Sequence, residues 1–274
     1  MTPAEPWGTG AGATACGARV RNEDAFCAQA PVFIVADGMG GHVGGAAAAD
    51  AVVEAFTRLV NAHPVDPDDV RNAVELAQAG VLEVAHAVRD HSGSTLTGLI
   101  AVEHGGQPWW MVINVGDSRV YSLHNGHLEQ VTVDHSHVQQ LVDDGAITEE
   151  ESLEHPERNI ITRAIGDGNT DFDAWLVPAR PGERFIVASD GLNRSISDAR
   201  IAELAGVGSI HDAATALVEA SLAADASDNV TVVVVEADGV VTPEEADPSP
   251  WRMWPAADDT EDDTTLGRRL KVLV

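Results

Sequence analysis

Four aspartates stand at the ends of apolar, strand-like runs. Asp37 leaves the run 32–36 and enters Gly38-Met39-Gly40-Gly41, and Asp190 leaves the run 185–189 and precedes Gly191. Asp228 precedes Asn229 and the run 230–235, while Asp117 lies in Gly116-Asp117-Ser118-Arg119 between two such runs. One Asp-Gly pair is an ordinary turn. Four carboxylates at strand ends, spread over nearly the whole chain, point to one shared site for hard divalent cations, which take several oxygen ligands at once. A glycine beside the carboxylate lets backbone approach a bound ion closely. Two ions bridged by one carboxylate stand ~3.5–4 Å apart, lower the pKa of a shared water and neutralise charge on a phosphoryl oxygen. That chemistry needs no Ser-His-Asp or Cys-His nucleophile, and neither is evident.

The elements that must position these residues are legible as patterns. Strand-like runs fall near 12–18, 24–28, 31–36, 94–103, 109–115, 118–123, 127–131, 173–178, 184–188 and 230–236, with β-branched residues common among them. Asn125-Gly126 predicts a tight antiparallel hairpin between 118–123 and 127–131. Helical periodicity covers 46–62, broken by His63-Pro64, and a second helix from Pro67 with Asp66 as its N-cap. That helix places Val70, Ala73, Val74, Ala77, Val81, Val84, Ala85 and Val88 on one face. A further helix over 209–223 does the same with Ile210, Ala213, Ala214, Leu217, Val218 and Leu222. This order is α+β, a layered sandwich, and lacks the regular alternation of a doubly wound parallel sheet. Residues 134–170 are polar and His-rich, with Ser136 and Thr148 as helix caps, and read as a mobile flap near the site. Trp109-Trp110 is expected in sheet core.

The chain of 274 residues has 44 acidic and 16 basic residues, a net charge of −28. Eight acidic and four basic residues lie from Val240 onward, so about −24 belongs to the rest and the acidity is a property of the domain. Such a surface repels nucleic acid and anionic membranes. Only Cys16 and Cys27 are present, without zinc-type spacing, and they read as reduced thiols. No signal peptide and no run of about 20 apolar residues is seen, so a cytoplasmic, soluble protein is expected. The stretch 239–274, acidic and with Thr-Pro, Asp-Pro and Ser-Pro steps, reads as a disordered tail in which Trp251 and Trp254 are out of character.

Seven segments in order carry a resemblance. Arg19-Val20-Arg21-Asn22-Glu23-Asp24, Asp37-Gly38-Met39-Gly40-Gly41, Gly93-Ser94-Thr95-Leu96, Gly116-Asp117-Ser118-Arg119, Ile161-Thr162-Arg163-Ala164-Ile165-Gly166, Ser189-Asp190-Gly191-Leu192 and Asp228-Asn229-Val230-Thr231 resemble the motifs of the PP2C-type (PPM) metal-dependent serine/threonine protein phosphatases. Met39, where animal members have a His, places the likeness with the bacterial branch. The resemblance covers residues 8–238 and implies a four-layer α-β-β-α sandwich, two antiparallel sheets flanked by helices. It implies that Asp37 bridges two core ions (Mn2+ or Mg2+), that the Gly38 carbonyl completes one, and that Asp190 and Asp228 hold the other. Asp117, with help from Asp190, would bind a weaker third ion. Arg19 matches the position that contacts substrate phosphate through a guanidinium fork. Glu23 and Asp24 would act mainly through metal-bound water, and a dinuclear-metal-activated water would hydrolyse phosphoserine and phosphothreonine in proteins.

Two departures stand out. With Met39 in place the general acid must come from elsewhere, His42 being one candidate. Asn193-Arg194 replaces the Thr or Ser followed by an acidic residue found in many bacterial members. His135 and His137 also admit a zinc reading, which lacks a Cys or third His nearby. The implied partners are phosphorylated proteins, with a Ser/Thr kinase opposed, and the chain is expected to be a monomer. Alternatives are a catalytically silent module binding phosphoproteins or kinases, and a partner-switching phosphatase acting on an anti-sigma antagonist. An intact Asp37, Asp190 and Asp228 set speaks against the silent module. Thr260, Thr264 and Thr265 lie among acidic residues, where a phosphate would suit an Arg-lined phosphothreonine-binding domain.

Overall fold

Every strand pairing in the computed structural model is antiparallel, and the strands form two sheets. The structure describes residues 8–40, 44–60, 62, 64–104, 107–177, 180, 182–237 and 252–253, of which 107, 108, 252 and 253 by backbone alone. In chain order the elements are β1 (Gly8–Ala15), β2 (Asp24–Gln29), β3 (Val32–Gly40), α1 (Gly44–Thr57), α2 (Pro67–Val88), β4 (Ser92–Ser94), β5 (Leu96–His104), β6 (Gln107–Val115), β7 (Arg119–His124) and β8 (His127–Gln130). They continue as α3 (His137–Asp143), α4 (Glu149–Leu153), β9 (Asp173–Val177), β10 (Arg184–Ala188), α5 (Asp190–Ser195), α6 (Asp198–Ala205), α7 (Ile210–Ala223), β11 (Val230–Ala237) and β12 (Arg252–Met253). One sheet has the order β1-β11-β10-β7-β8; the other runs β12-β9-β6-β5-β3-β2, with β4 paired to β3.

Period-two alternation explains why the central strands are apolar on both faces. Val32, Ile34 and Ala36 of β3 pack with α1 and α2, whereas Phe33 and Val35 meet the opposite sheet. On β11, Val233 and Val235 face the other sheet and Val232 and Val234 face α5, α6 and α7. The result is the expected four-layer α-β-β-α sandwich. At its middle, Trp110 is fully buried, with its ring 5.9 Å from that of Phe33 and 6.2 Å from that of Phe185. The facing strand β1 makes room with small residues: a Cβ on Gly10 would fall 2.5 Å from the Phe33 ring. Trp109 packs on the helix side of the same sheet. Trp110→Ala is expected to cost about 3–5 kcal/mol of stability, read as a lower urea midpoint with unchanged slope. A wild-type midpoint would contradict this packing.

Local signals set the ends of the elements. Asp66 caps α2 by accepting from the N–H groups of Asp68 and Asp69, and Asp69 accepts from the Asp66 N–H in return. The Asn125-Gly126 turn has φ of 52° and 79°, the left-handed pair the hairpin requires. On α2 the face is buried through Val81, but Val84, Ala85 and Val88 are only half-buried. On α7, Leu222 is exposed, contrary to expectation, and Ser221 is buried instead with its Oγ donating to the Leu217 carbonyl.

Other expectations are corrected. The first strand runs Gly8–Ala15, not 12–18, because Gly17 turns the chain at φ 56°. Helices α5 and α6 and strand β4 had no clear periodicity to announce them. Of the stretch read as a largely disordered tail, only Arg252 and Met253 are described, and they pair with β9 as an edge strand, β12. The segment 134–170 is fastened by bridges Ser136–Ile161 and Ser94–Ile165. His135 and His137 do not share a site: His135 Nε2 lies 3.2 Å from Asp173, and His137 Nε2 lies 3.3 Å from Glu157. His42, Trp251, Trp254, Thr260, Thr264 and Thr265 lie outside the described residues. Among the described residues no helix is long and apolar enough to cross a membrane.

Candidate metal centre

The centre is assembled from strand ends by backbone pairing. Asp24 and Asp37 are direct partners across β2 and β3, and Gly38 pairs with Ser94 of β4. The Asp37 N–H donates to Thr95 Oγ1 at 2.9 Å, and the Thr95 N–H donates to the Asp37 carbonyl at 2.9 Å. Thr95 Oγ1 also lies 2.9 Å from Ser118 Oγ, tying this corner to the Asp117 loop. The Gly38 N–H donates to the Glu23 carbonyl, and a Cβ on Gly38 would fall 2.1 Å from the Gly45 carbonyl oxygen. No side chain fits that approach. Asp190 is the first residue of α5. Ser189, at the cap position, makes no side-chain cap bond; its Oγ donates to Asp24 Oδ2 at 2.9 Å and accepts from the Thr231 N–H at 3.0 Å.

Asn229 staples the Arg19 loop to β11. Its Oδ1 accepts from the Glu23 N–H at 2.8 Å, and its amide donates to the carbonyls of Cys16 and Arg21 at 3.0 and 2.9 Å. Arg19 then reaches Asp228, Nη2 to Oδ2 at 2.8 Å. Across the centre, Arg194 Nη2 lies 2.6 Å from Asp190 Oδ2 and 3.3 Å from Asp117 Oδ2.

The carboxylates crowd one another. Burial raises Asp37 well above the usual range, and the charges of Asp24, Asp190, Asp117 and Asp228 add to it. Burial pushes Asp117 up to about 8, with Asp190 adding and Arg194 opposing, and pushes Asp24 up to about 6. Asp190 is raised by burial, against the pull of Arg194. Asp24 Oδ1, Asp117 Oδ1 and Asp190 Oδ1 are buried with no hydrogen-bond partner. Orphaned, mutually repelling carboxylate oxygens are the donor set a hard cation satisfies, so the residues fit divalent ions. As the side chains stand, no three of His, Cys, Asp or Glu among the described residues close on a single point; Arg19 and Arg194 hold three of the aspartates instead.

A pH dependence follows for the chain stripped of divalent ions. Carboxylates raised to about 6 and about 8 in the folded chain hold protons that the unfolded chain has already released above the ordinary carboxylate value of about 4. Their contribution to stability is fully present below that value and is lost as pH rises through the folded values. With chelator present, the melting temperature is expected to fall between pH 5 and 8.5. Asp117→Asn should flatten the upper part of that slope, and a slope unchanged by the substitution would contradict the assignment.

The structure brings Asp24, Asp37, Asp117, Asp190 and Asp228 into one charged neighbourhood, with the Gly38 backbone beside Asp37 and Arg19 at its edge. Sequence reading missed Arg194 as an ion-pair partner, although its spacing four residues from Asp190 on a helix was a usable signal. It also missed the staple formed by Asn229, whose three partners are remote in sequence.

The chain has clear relatives. Residues 11–228 match the family described as Protein phosphatase 2C. The serine/threonine protein phosphatase PstP of Mycobacterium tuberculosis is 36% identical over 223 residues, 80% of this chain and 42% of the relative, so the chain spans less than half of that protein. The serine/threonine phosphatase stp of Listeria monocytogenes is 31% identical over 217 residues, 76% of this chain and 85% of the relative. The crystal structure of the M. tuberculosis phosphatase PstP superposes with a TM-score of 0.79 at 33% identity, covering 84% of this chain and 98% of that one. A structure of the PstP catalytic domain in complex with two manganese ions gives 0.77 at 32% identity, with the same coverage.

Proposed function

Because the chain belongs to the protein phosphatase 2C family, we propose that it hydrolyses phosphoserine and phosphothreonine in proteins with a pair of divalent ions, Mn2+ or Mg2+, opposing a Ser/Thr kinase. The observation that carries this reading is a neighbourhood of mutually repelling buried carboxylates, of which Asp24, Asp117 and Asp190 each keep an oxygen without a hydrogen-bond partner, at positions matching the family's motifs. Two ions bound there supply an activated water and neutralise charge on the phosphoryl group. Asp37 is assigned the bridging position, the Gly38 carbonyl completes one ion's shell, and Asp190 and Asp228 hold the other. Asp24 acts indirectly through water, oriented by Ser189. Arg19 anchors one nitrogen on Asp228 and has further N–H groups for phosphate oxygens, in a fork that lysine lacks.

One chain carries the whole set, so the reading needs no second copy. Residues 8–238 are assigned as the catalytic domain and 239–274 as its tail. The unbridged Cys16 and Cys27 accord with a reducing, cytoplasmic setting. Phosphate release from a phosphothreonine peptide is expected only with Mn2+ or Mg2+ present, to stop on chelation and to resume on adding the ion back. Turnover indifferent to chelator would overturn the proposal.

A further inference from the structure

Arg194 is a charged feature of the centre that the family reading does not use. It sits on α5 one turn beyond Asp190, and a single nitrogen, Nη2, spans Asp190 Oδ2 and Asp117 Oδ2 at 2.6 and 3.3 Å. These two carboxylates come from segments 73 residues apart in sequence, and both are buried, whereas the arginine side chain is 29% exposed. A guanidinium is charged at any working pH, and one tethered four residues from its partner need not be recruited from solution. Its Nη2 takes one oxygen of each carboxylate, Asp190 Oδ2 and Asp117 Oδ2, where a cation bridging the two would otherwise sit. Asp190 Oδ1, buried and without a hydrogen-bond partner, is left for the core pair. An acidic or neutral residue at 194 would leave the Asp117–Asp190 position to a divalent ion. Arginine there supplies the counter-charge from within the chain.

We propose that Arg194 is a built-in cation that takes the place of a third divalent ion between Asp117 and Asp190, so that residue 194 sets how many ions the chain binds. This rests on the core-pair reading above, and the two can be tested apart. Chelator-stripped full-length chain would be titrated with Mn2+, and the bound ions counted by native mass spectrometry and by loss of the free-ion electron paramagnetic resonance signal. Arg194→Met, close in length but uncharged, is expected to bind one more ion per chain than wild type, and Asp117→Asn added to it should remove that ion. Arg194→Lys, still a tethered cation, should match wild type. Arg194→Gln provides a second neutral variant should the methionine variant melt abnormally. Equal counts in wild type and both neutral variants would overturn the inference, as would an extra ion that persists with Asp117→Asn. A wild-type chain binding fewer than two ions would instead sink the core-pair reading, while the difference between wild type and neutral variants would still decide the role of Arg194.

Discussion

Asp37→Asn is expected to lower phosphatase turnover by about 10³-fold or more while leaving the fold intact. The amide keeps the shape of the side chain but removes the charge assigned to bridge two ions. Losing several kcal/mol of charge stabilisation at the phosphoryl group corresponds to that factor, at about 1.4 kcal/mol per tenfold. The same change relieves the crowding that raises this carboxyl, since Asp24, Asp190, Asp117 and Asp228 all bear on it. Without divalent ions the variant should therefore melt no lower than wild type at pH 8, and addition of Mn2+ should raise its melting temperature far less. Steady-state assays over a Mn2+ series and paired melts with and without the ion read both effects. Retention of most activity at saturating Mn2+ would remove Asp37 from the centre.

Asn229→Ala is expected to cost about 3 kcal/mol or more in stability and to raise KM sharply. Three backbone groups lose the Asn229 bond at once: the Glu23 N–H and the carbonyls of Cys16 and Arg21, of which the Cys16 carbonyl keeps the Arg19 N–H. A buried N–H left unpaired costs roughly 1–3 kcal/mol, and each further hydrogen bond lost costs about 1 kcal/mol. These bonds join residues more than 200 apart in sequence and hold the turn that carries Arg19. Gly17 in that turn leaves no room to retreat, since a Cβ there would stand 2.0 Å from the Asp228 carbonyl oxygen. Asn229→Asp is the informative partner. It keeps an acceptor for the Glu23 N–H, gives up both donations and adds a charge beside Asp228, so it should bind metal no worse than the alanine variant yet remain impaired in KM. A melting curve and KM equal to wild type for both would show that the loop is positioned by other contacts.

Much of the fold was readable because its signals are local. The Asn125-Gly126 hairpin and the Asp66 cap depend on neighbours within a few residues, and both formed as expected. Misreadings came where a distant segment decides. Strand β1 ends at Ala15 because the next residues bond to the 226–229 segment: the Ala18 N–H donates to the Ala226 carbonyl. Ser189 stands at the cap position of α5, a helix the sequence did not announce, but its hydroxyl donates to Asp24, 165 residues away in sequence. Leu222 fits the apolar spacing of α7 yet is exposed, while its neighbour Ser221 is buried in its stead. Val84 and Val88 at the end of α2 are likewise only half-buried.

The same division holds at the centre. That Asp117, Asp190 and Asp228 stand just beyond strand ends follows from the sequence alone, because the apolar runs stop there. Asp37, expected to leave its strand into a glycine turn, instead lies within β3, which continues to Gly40 by pairing with β4. Which cation each carboxylate meets was decided only in three dimensions. Arg19 and Asp228 are 209 residues apart, and Arg194 reaches Asp117 across 77. Charge–charge contact depends on distances of a few ångströms between segments that composition and periodicity leave free to lie anywhere, and only the packing of the two sheets brings them together.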